Sequence, residues 1–233
     1  MHFRHSDDVW AAFPELAAGV LTAGAPAAPV DGRLAALHTE ALHTEAKARL
    51  ADAPLSALPE IGAWRRAFTR MGLKPTQYRC ASESLLRRFA KEGTLPGIHP
   101  LVDLCNAVSM AYAIPVAALD LDRIDGDLEV RPAGGGEVYV PLSGGSEHPA
   151  PGEIVFADTG GNAHARRWTN RQSGLSAIRP GTGRALIVAE AMHDGAAADV
   201  GALLRRLAAD LDALGAAPSR PALLTRDAPG FTC

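Results

Sequence analysis

Cysteine, aromatic residues and long apolar runs are all scarce in this chain. Its 233 residues include three cysteines, Cys80, Cys105 and Cys233, an odd number without CxxC spacing. That excludes a disulfide framework or a zinc knuckle as the organising device and points to a reducing, cytoplasmic setting. Aromatic content of 5% is too low for an extended base-stacking platform. No apolar run reaches the roughly 18 residues of a membrane span, and the charged N-terminus lacks the apolar stretch of a secretory leader. A large excess of one charge is missing too: the net charge of −3 excludes a uniformly basic nucleic-acid coat and leaves room for a local basic patch, and no DNA or membrane partner is expected.

The common catalytic signatures are absent as well. GxxxxGK[ST], GxSxG, HExxH and a GxGxxG following a strand do not occur, which removes the usual kinase, ATPase, esterase and zinc-protease readings. Asp120, Asp122, Asp125 and Asp127 imitate a calcium loop, but the third Asp falls at position 6 and the glycine at position 7. That register is wrong for the cation, so the segment is expected to be a turn entering a strand. The tandem LHTEA-LHTEA puts His38 and His43 about 140° apart around a helix, too far round to share a metal. No metal or cofactor is expected.

What is present reads as α+β. Hydrophobic residues make up 47% of the chain, enough for a substantial core. Thr22 to Gly32, rich in proline and glycine, reads as a loop, with a helix after it from about Leu34 to Leu50. Further helices are expected after Ile61, ending at Gly72; after Ser82 as N-cap, ending at Gly93; across LVDLCNAVSMAYAI; and from Val200 to Leu214, with Leu203, Leu204, Leu207 and Leu211 on one face. The segments DLEVRPA, EVYVPL, GEIVFADT, AHARRW and RALIVAEAM carry the strand signals. Helices first and strands later, without βαβ alternation, give the α+β class. The division expected is a helical N-terminal extension at 1–60, a main domain at 61–215 that includes the last helix, and a loose tail at 216–233.

Charge is segregated along the sequence. Glu60 to Glu92 holds eight Lys or Arg against three Glu, and Ala163 to Arg184 holds five Arg and no acid, leaving the rest of the chain at −13. Two readings fit: a face that grips phosphates, for which Arg is the better ligand, or surface charges with partners elsewhere in the chain. Asp103 and Asn106 form a narrow polar stripe on the VDLCN helix. His99 before Pro100 suits a cap, and Cys80 and Cys105 read as inert core.

The stretch LPGIHPLVDLCNAVSMAYAIPVAALDLDRIDGDLEVR resembles the editing (B3/B4) domain of the phenylalanyl-tRNA synthetase β-subunit. The matching pieces are the VDLCN helix, the turn from Pro115 to Asp120 and the DRIDG turn with its following strand. The resemblance continues through GEIVFAD, RRWTNRQSG and ALIVAE, and covers roughly Ile61 to His193. SESLLRR and RRWTNRQ are similar to the free-standing members of the family. The resemblance implies a β-sandwich flanked by helices, a pocket between strands and the VDLCN helix, an aminoacylated tRNA as partner, and hydrolysis of the ester joining a wrong amino acid to it.

Two departures fall in that pocket: Ala117 stands where the synthetase has a water-positioning histidine, and Arg171 where it has an acid that senses a tyrosine hydroxyl. A different amino acid is therefore expected as the one removed. The candidates carried over are Asn106 to orient substrate or water, Asp103 or Glu190 to hold the amino group or act as base, and Thr169, Asn170 and Arg171 with Ala117 as pocket wall. Arg87, Arg88, Arg166 and Arg167 are the expected phosphate contacts. A trans-acting aminoacyl-tRNA deacylase leads, with a non-catalytic RNA- or partner-binding module as the alternative and a small-molecule hydrolase or sensor third.

Overall fold

The computed structural model describes residues 1–24 and 32–233. The helices are α1 (Asp7–Ala12), α2 (Gly32–Asp52), α3 (Pro59–Arg70), α4 (Ala81–Glu92), α5 (Pro100–Tyr112) and α6 (Ala196–Ala213). The strands are β1 (His2–His5), β2 (Ala17–Gly24), β3 (Val116–Asp120), β4 (Leu128–Pro132), β5 (Val138–Tyr139), β6 (Ile154–Asp158), β7 (Asn162–Arg166), β8 (Arg171–Gln172), β9 (Arg184–Ala191), β10 (Ala222–Leu224) and β11 (Gly230–Thr232). A seven-stranded sheet runs β11-β1-β4-β6-β7-β5, with β8 on β7, and a four-stranded sheet runs β10-β2-β9-β3. The class is α+β.

The period-two alternation of β2 and β9 explains the layering. Ala18 and Val20 on β2, with Leu186 and Val188 on β9, join Phe3, Val130, Phe156 and Trp168 in one core, which places the two sheets face to face. Ala17, Leu21, Ile187 and Ala189 turn the other way, into a core with Leu104 and Val108 of α5 and with Val200, Leu203, Leu204 and Leu207 of α6. The small sheet is thus buried on both faces, and its strands are mainly apolar, with Glu190 of β9 as a buried exception. Among the described residues no helix is long and apolar enough to cross a membrane.

Close approach of α6 requires a missing side chain at Gly19. A Cβ there would lie 2.5 Å from both Leu204 Cδ1 and Val200 Cγ1, two side chains already buried in a filled core. Gly19→Ala is expected to cost about 1–3 kcal/mol by overpacking, read from the urea midpoint; an unchanged midpoint would mean that α6 rides freely over the strand.

Several elements differ from the sequence reading. The first 60 residues are not purely helical: β1 enters the large sheet between β11 and β4, and β2 enters the small sheet. The tail is not loose, since β10 pairs with β2 and β11 with β1. The Pro115 to Asp120 turn is the strand β3. Of the loop expected at Thr22 to Gly32, residues 22–24 complete β2 and 25–31 lie outside the described residues. The N-cap of α4 is Cys80, and Ser82 sits buried in the first turn, 3.4 Å from the Cys80 sulfur. Other end signals hold. Gly93 adopts φ 76°, and His99 caps α5 by accepting the Leu101 N–H. His38 contacts Asp210, whereas the His43 ring lies against Phe89.

A buried polar chain ties β6, β7 and the loop before β9. His164 Nε2 donates to Asp158 Oδ2 at 3.0 Å, which leaves Nδ1 to accept the Ser176 hydroxyl at 2.9 Å. All three residues are buried, so this is a brace and not a hydrolytic triad. Burial lowers the His164 pKa below its ordinary 6.5 against the opposing pull of Asp158. The unfolded chain therefore binds the extra proton first as pH falls. The stabilisation is full above about pH 6.5 and is lost on acidification through the lowered value; His164→Asn is expected to flatten that part of the stability–pH curve, followed by denaturant midpoints between pH 7.5 and 5.

Candidate functional site

Where β3, β7, β8 and β9 meet the start of α4, a cleft holds about 480 Å³ of empty space, part of it open to solvent. Its walls are mainly apolar, from Val116, Leu119, Phe156, Trp168 and Val188, and its polar groups are Thr169, Asn170, Arg171, Gln172 and Glu190. A mostly apolar recess with a few convergent polar groups is the usual form of a small-ligand site.

Glu190 is the buried anion of this cleft, 2% exposed. Its Oε1 accepts from His5 Nε2 at 2.6 Å and from Trp168 Nε1 at 2.9 Å, which leaves Oε2 for the cavity. Trp64 Nε1 donates to the Glu190 main-chain oxygen. A carboxylate fixed in this way and removed from water favours a cationic partner.

The tight connection from β7 to β8 aims the other polar groups. Arg167 and Trp168 both adopt left-handed backbone, φ 47° and 57°, which non-glycine residues seldom do. Trp168 is held there by its N–H to the Ile154 oxygen at 2.7 Å and by its buried ring. Strain of this kind persists where the surroundings over-determine it, commonly at a site. Thr169 Oγ1 is buried and has no hydrogen-bond partner among the described residues. Asn170 Nδ2 donates to the Arg79 oxygen at 2.7 Å, so its Oδ1 remains as an acceptor. Arg171 has Nη1 3.2 Å from Glu147 Oε2, and its guanidinium covers the Tyr139 ring.

The structure brings Ala117, Thr169, Asn170, Arg171 and Glu190 together and leaves the remaining candidates elsewhere. Asn106 and Asp103 do not face this cleft. They line a separate groove that also includes Glu40 and His43 of α2, because their helical stripe points to α2 and not to the sheet. Asp103 Oδ1 accepts the Ile98 N–H at 2.9 Å.

Arg166 is not an exposed phosphate ligand: it is buried and bound to both oxygens of Glu153 and to Glu147. Arg88 is exposed and pairs with Glu92, Arg87 pairs with Glu83, and Arg167 stacks on Tyr78 at 4.6 Å. Much of the charge segregated in sequence is thus neutralised in space. His5 and Trp168, the two donors on Glu190, are not among the expected residues; the Trp within RRWTNRQ is a sequence signal for one of them, whereas nothing local marks His5.

The thiols offer no nucleophile here. Burial pushes Cys80 up to about 11 and Cys105 up to about 12. Among the described residues no group of three or more His, Cys, Asp or Glu is placed to hold a metal ion.

Residues 63–204 match the family described as the B3/4 domain. The phenylalanine–tRNA ligase β-subunit of Shewanella oneidensis is 31% identical over 87 residues, 37% of this chain and 11% of that protein. The corresponding subunit from Pseudoalteromonas translucida is 39% identical over 61 residues, 26% of this chain and 8% of its own. The matched stretch spans about a tenth of the length of these relatives. An N-terminal fragment of the Pyrococcus horikoshii phenylalanyl-tRNA synthetase β-subunit superposes with a TM-score of 0.42 at 12% identity, over 51% of this chain and 41% of the fragment.

Proposed function

Because the chain belongs to the B3/4 domain family, with the cleft just described, we propose that it is a trans-acting deacylase that hydrolyses the ester between tRNA and a wrongly attached amino acid. The observation that carries this reading is the fixed Glu190 carboxylate in an apolar cleft beside Thr169 and Asn170.

An aminoacyl ester presents an α-ammonium, an ester carbonyl and a ribose oxygen as leaving group. Glu190 Oε2 receives the ammonium in this reading. With that anchor, the side chain lies against the Val116, Val188 and Phe156 wall, and the carbonyl stands near the Thr169 hydroxyl, which donates to the developing oxyanion. Asn170 Oδ1 holds the attacking water. Ala117 supplies a methyl group and no base, so the proton from water passes to the neighbouring ribose hydroxyl system of the substrate, which also protonates the departing oxygen. The ester is already activated, and much of the acceleration comes from positioning.

The test is a panel of tRNAs, each carrying a correct or an incorrect labelled amino acid, with ester loss followed over the spontaneous rate. Fast and selective loss of one mischarged species is expected. Ala117 also favours a second reading, a binding module on the same fold; retention of charged tRNA with no ester loss across the panel would select it and overturn the deacylase.

A further inference from the structure

We propose that the guanidinium cluster gathered around Glu83, on the lip of the cleft, is a phosphodiester subsite that holds the backbone of a single-stranded RNA end. The occupant of the cleft rests on the deacylase reading; the RNA contact itself stands on the following geometry.

Glu83 is a buried carboxylate on the first turn of α4. Arg65 donates to both of its oxygens, at 3.1 and 2.6 Å, and Arg87 Nε donates at 2.8 Å. Arg79 brings its Nε within 3.5 Å of the same carboxylate. Three guanidiniums on one anion leave a local excess of two positive charges. The two Arg donors hold the Glu83 carboxyl below its ordinary pKa despite burial, so the anion is fully charged and the excess is not larger.

Donor arithmetic points the same way. A guanidinium has five N–H groups. Arg87 uses only Nε on Glu83, and Arg79 adds only an Nη2 bond to the Thr76 oxygen. Both Nη groups of Arg87 and Nη1 of Arg79 have no partner among the described residues, and the two side chains are 45% and 34% exposed. No acid of this stretch is left to meet them, because Glu60 is taken by Arg49 and Glu92 by Arg88. Arg66, Lys74 and Lys91 are exposed without an ion pair among the described residues and add to the field.

The cluster is continuous with the cleft. Asn170 of the cleft wall binds the Arg79 main-chain oxygen, Ala81 lines the cleft, and Arg167 stacks on Tyr78. Residues 78–81 therefore join the two. An RNA end with its terminal ester beside Glu190 carries its preceding phosphates across this lip, where paired Nη groups match the non-bridging oxygens of a phosphodiester.

The test uses the full chain and a fluorescein-labelled hexaribonucleotide ending in CCA, with anisotropy titrations at several salt concentrations. Arg87→Gln is expected to weaken binding about 5- to 10-fold and to reduce the salt slope by about one. Arg88→Gln removes the same charge about 100° further round the helix and is expected to weaken binding less than 2-fold. Arg87→Lys keeps a cation beside Glu83 and guards against misfolding as a cause; it should bind within about 3-fold of the unaltered chain.

Equal losses for Arg87→Gln and Arg88→Gln, or none for either, would overturn the subsite. Inorganic phosphate separates the two sources of the ligand: competition only at tens of millimolar supports an RNA strand, whereas competition at or below the affinity for the hexamer assigns the cluster to a free phosphate and overturns the proposal. Ester loss is scored separately. Binding that falls selectively in Arg87→Gln without any deacylation leaves the subsite standing and removes the enzyme; deacylation with RNA binding indifferent to Arg87 does the reverse.

Discussion

Glu190→Gln is expected to lower kcat/KM for ester hydrolysis by about 100-fold while leaving the fold intact. Oε1 of Glu190 faces two donors, His5 Nε2–H and Trp168 Nε1–H. Glutamine satisfies both only by placing its carbonyl oxygen there, which puts its NH2 where Oε2 stands. The cleft then presents a donor in place of an acceptor, and no negative charge, to the ammonium of the proposed aminoacyl ester. Because the two buried donors keep their acceptor, the denaturation midpoint should move little. The check is a kcat/KM measurement on the mischarged tRNA selected by the panel, with urea unfolding alongside. Activity within 3-fold of the unaltered chain would remove Glu190 from the site.

The largest expected stability loss is at Trp168. Its ring is fully buried, edge-on to Trp64 at 5.1 Å between centroids and to Phe13 at 4.9 Å. Trp168→Ala opens a cavity between α3, the segment after α1 and the cleft, and removes one of the two donors on Glu190 Oε1. The cavity alone costs about 3–5 kcal/mol, and the carboxylate left with one donor adds to it. Trp168→Phe separates the two contributions, because it keeps most of the ring and loses the N–H; about 1.5–3 kcal/mol is expected for a hydrogen bond to a charged group. Urea denaturation of both variants checks this. A loss below about 1 kcal/mol in Trp168→Ala would mean that the aromatic cluster does not brace the cleft.

The helices legible in sequence are those in which one face is buried and the other wet. Leu86 and Phe89 of α4, and Leu203, Leu204, Leu207 and Leu211 of α6, carry a helical period because only one stripe of each helix meets the core. β6 and β9 announce themselves as short apolar runs. β2 does not: AAGVLTAG lies between the large sheet and α6, its Ala and Gly residues dilute the strand signal, and α6 leaves no room for a side chain at Gly19, so it reads as helix or loop. β10 and β11 have three residues each and owe their form to their partners.

The site follows the same division. Ala117, Thr169, Asn170, Arg171 and Glu190 became visible through the family motif, and the structure groups them. Asp103 and Asn106 shared a polar stripe, but helical phase does not say which neighbour that stripe meets. Arg166 counted toward a basic segment because its acids, Glu147 and Glu153, lie in a different loop. His5 was beyond reach, since its partner is 185 residues away.

Strand β2 pairs with β9 from Ala17 opposite Ala191 to Gly24 opposite Arg184, and β1 closes on β11. During synthesis β1 can pair with β4 once residues 128–130 have emerged, whereas β2 stays without its β9 partner until residues 184–191 follow. Contacts this distant are entropically slow to close, and unpaired strand edges invite association with other chains. The helices can form early and locally, whereas the carboxylate of the cleft meets its histidine only after β9 has been released. The cleft is complete only when β9 adds Val188 and Glu190, so a product truncated before β9 would keep Ala117, Thr169, Asn170 and Arg171 and lack the carboxylate they surround.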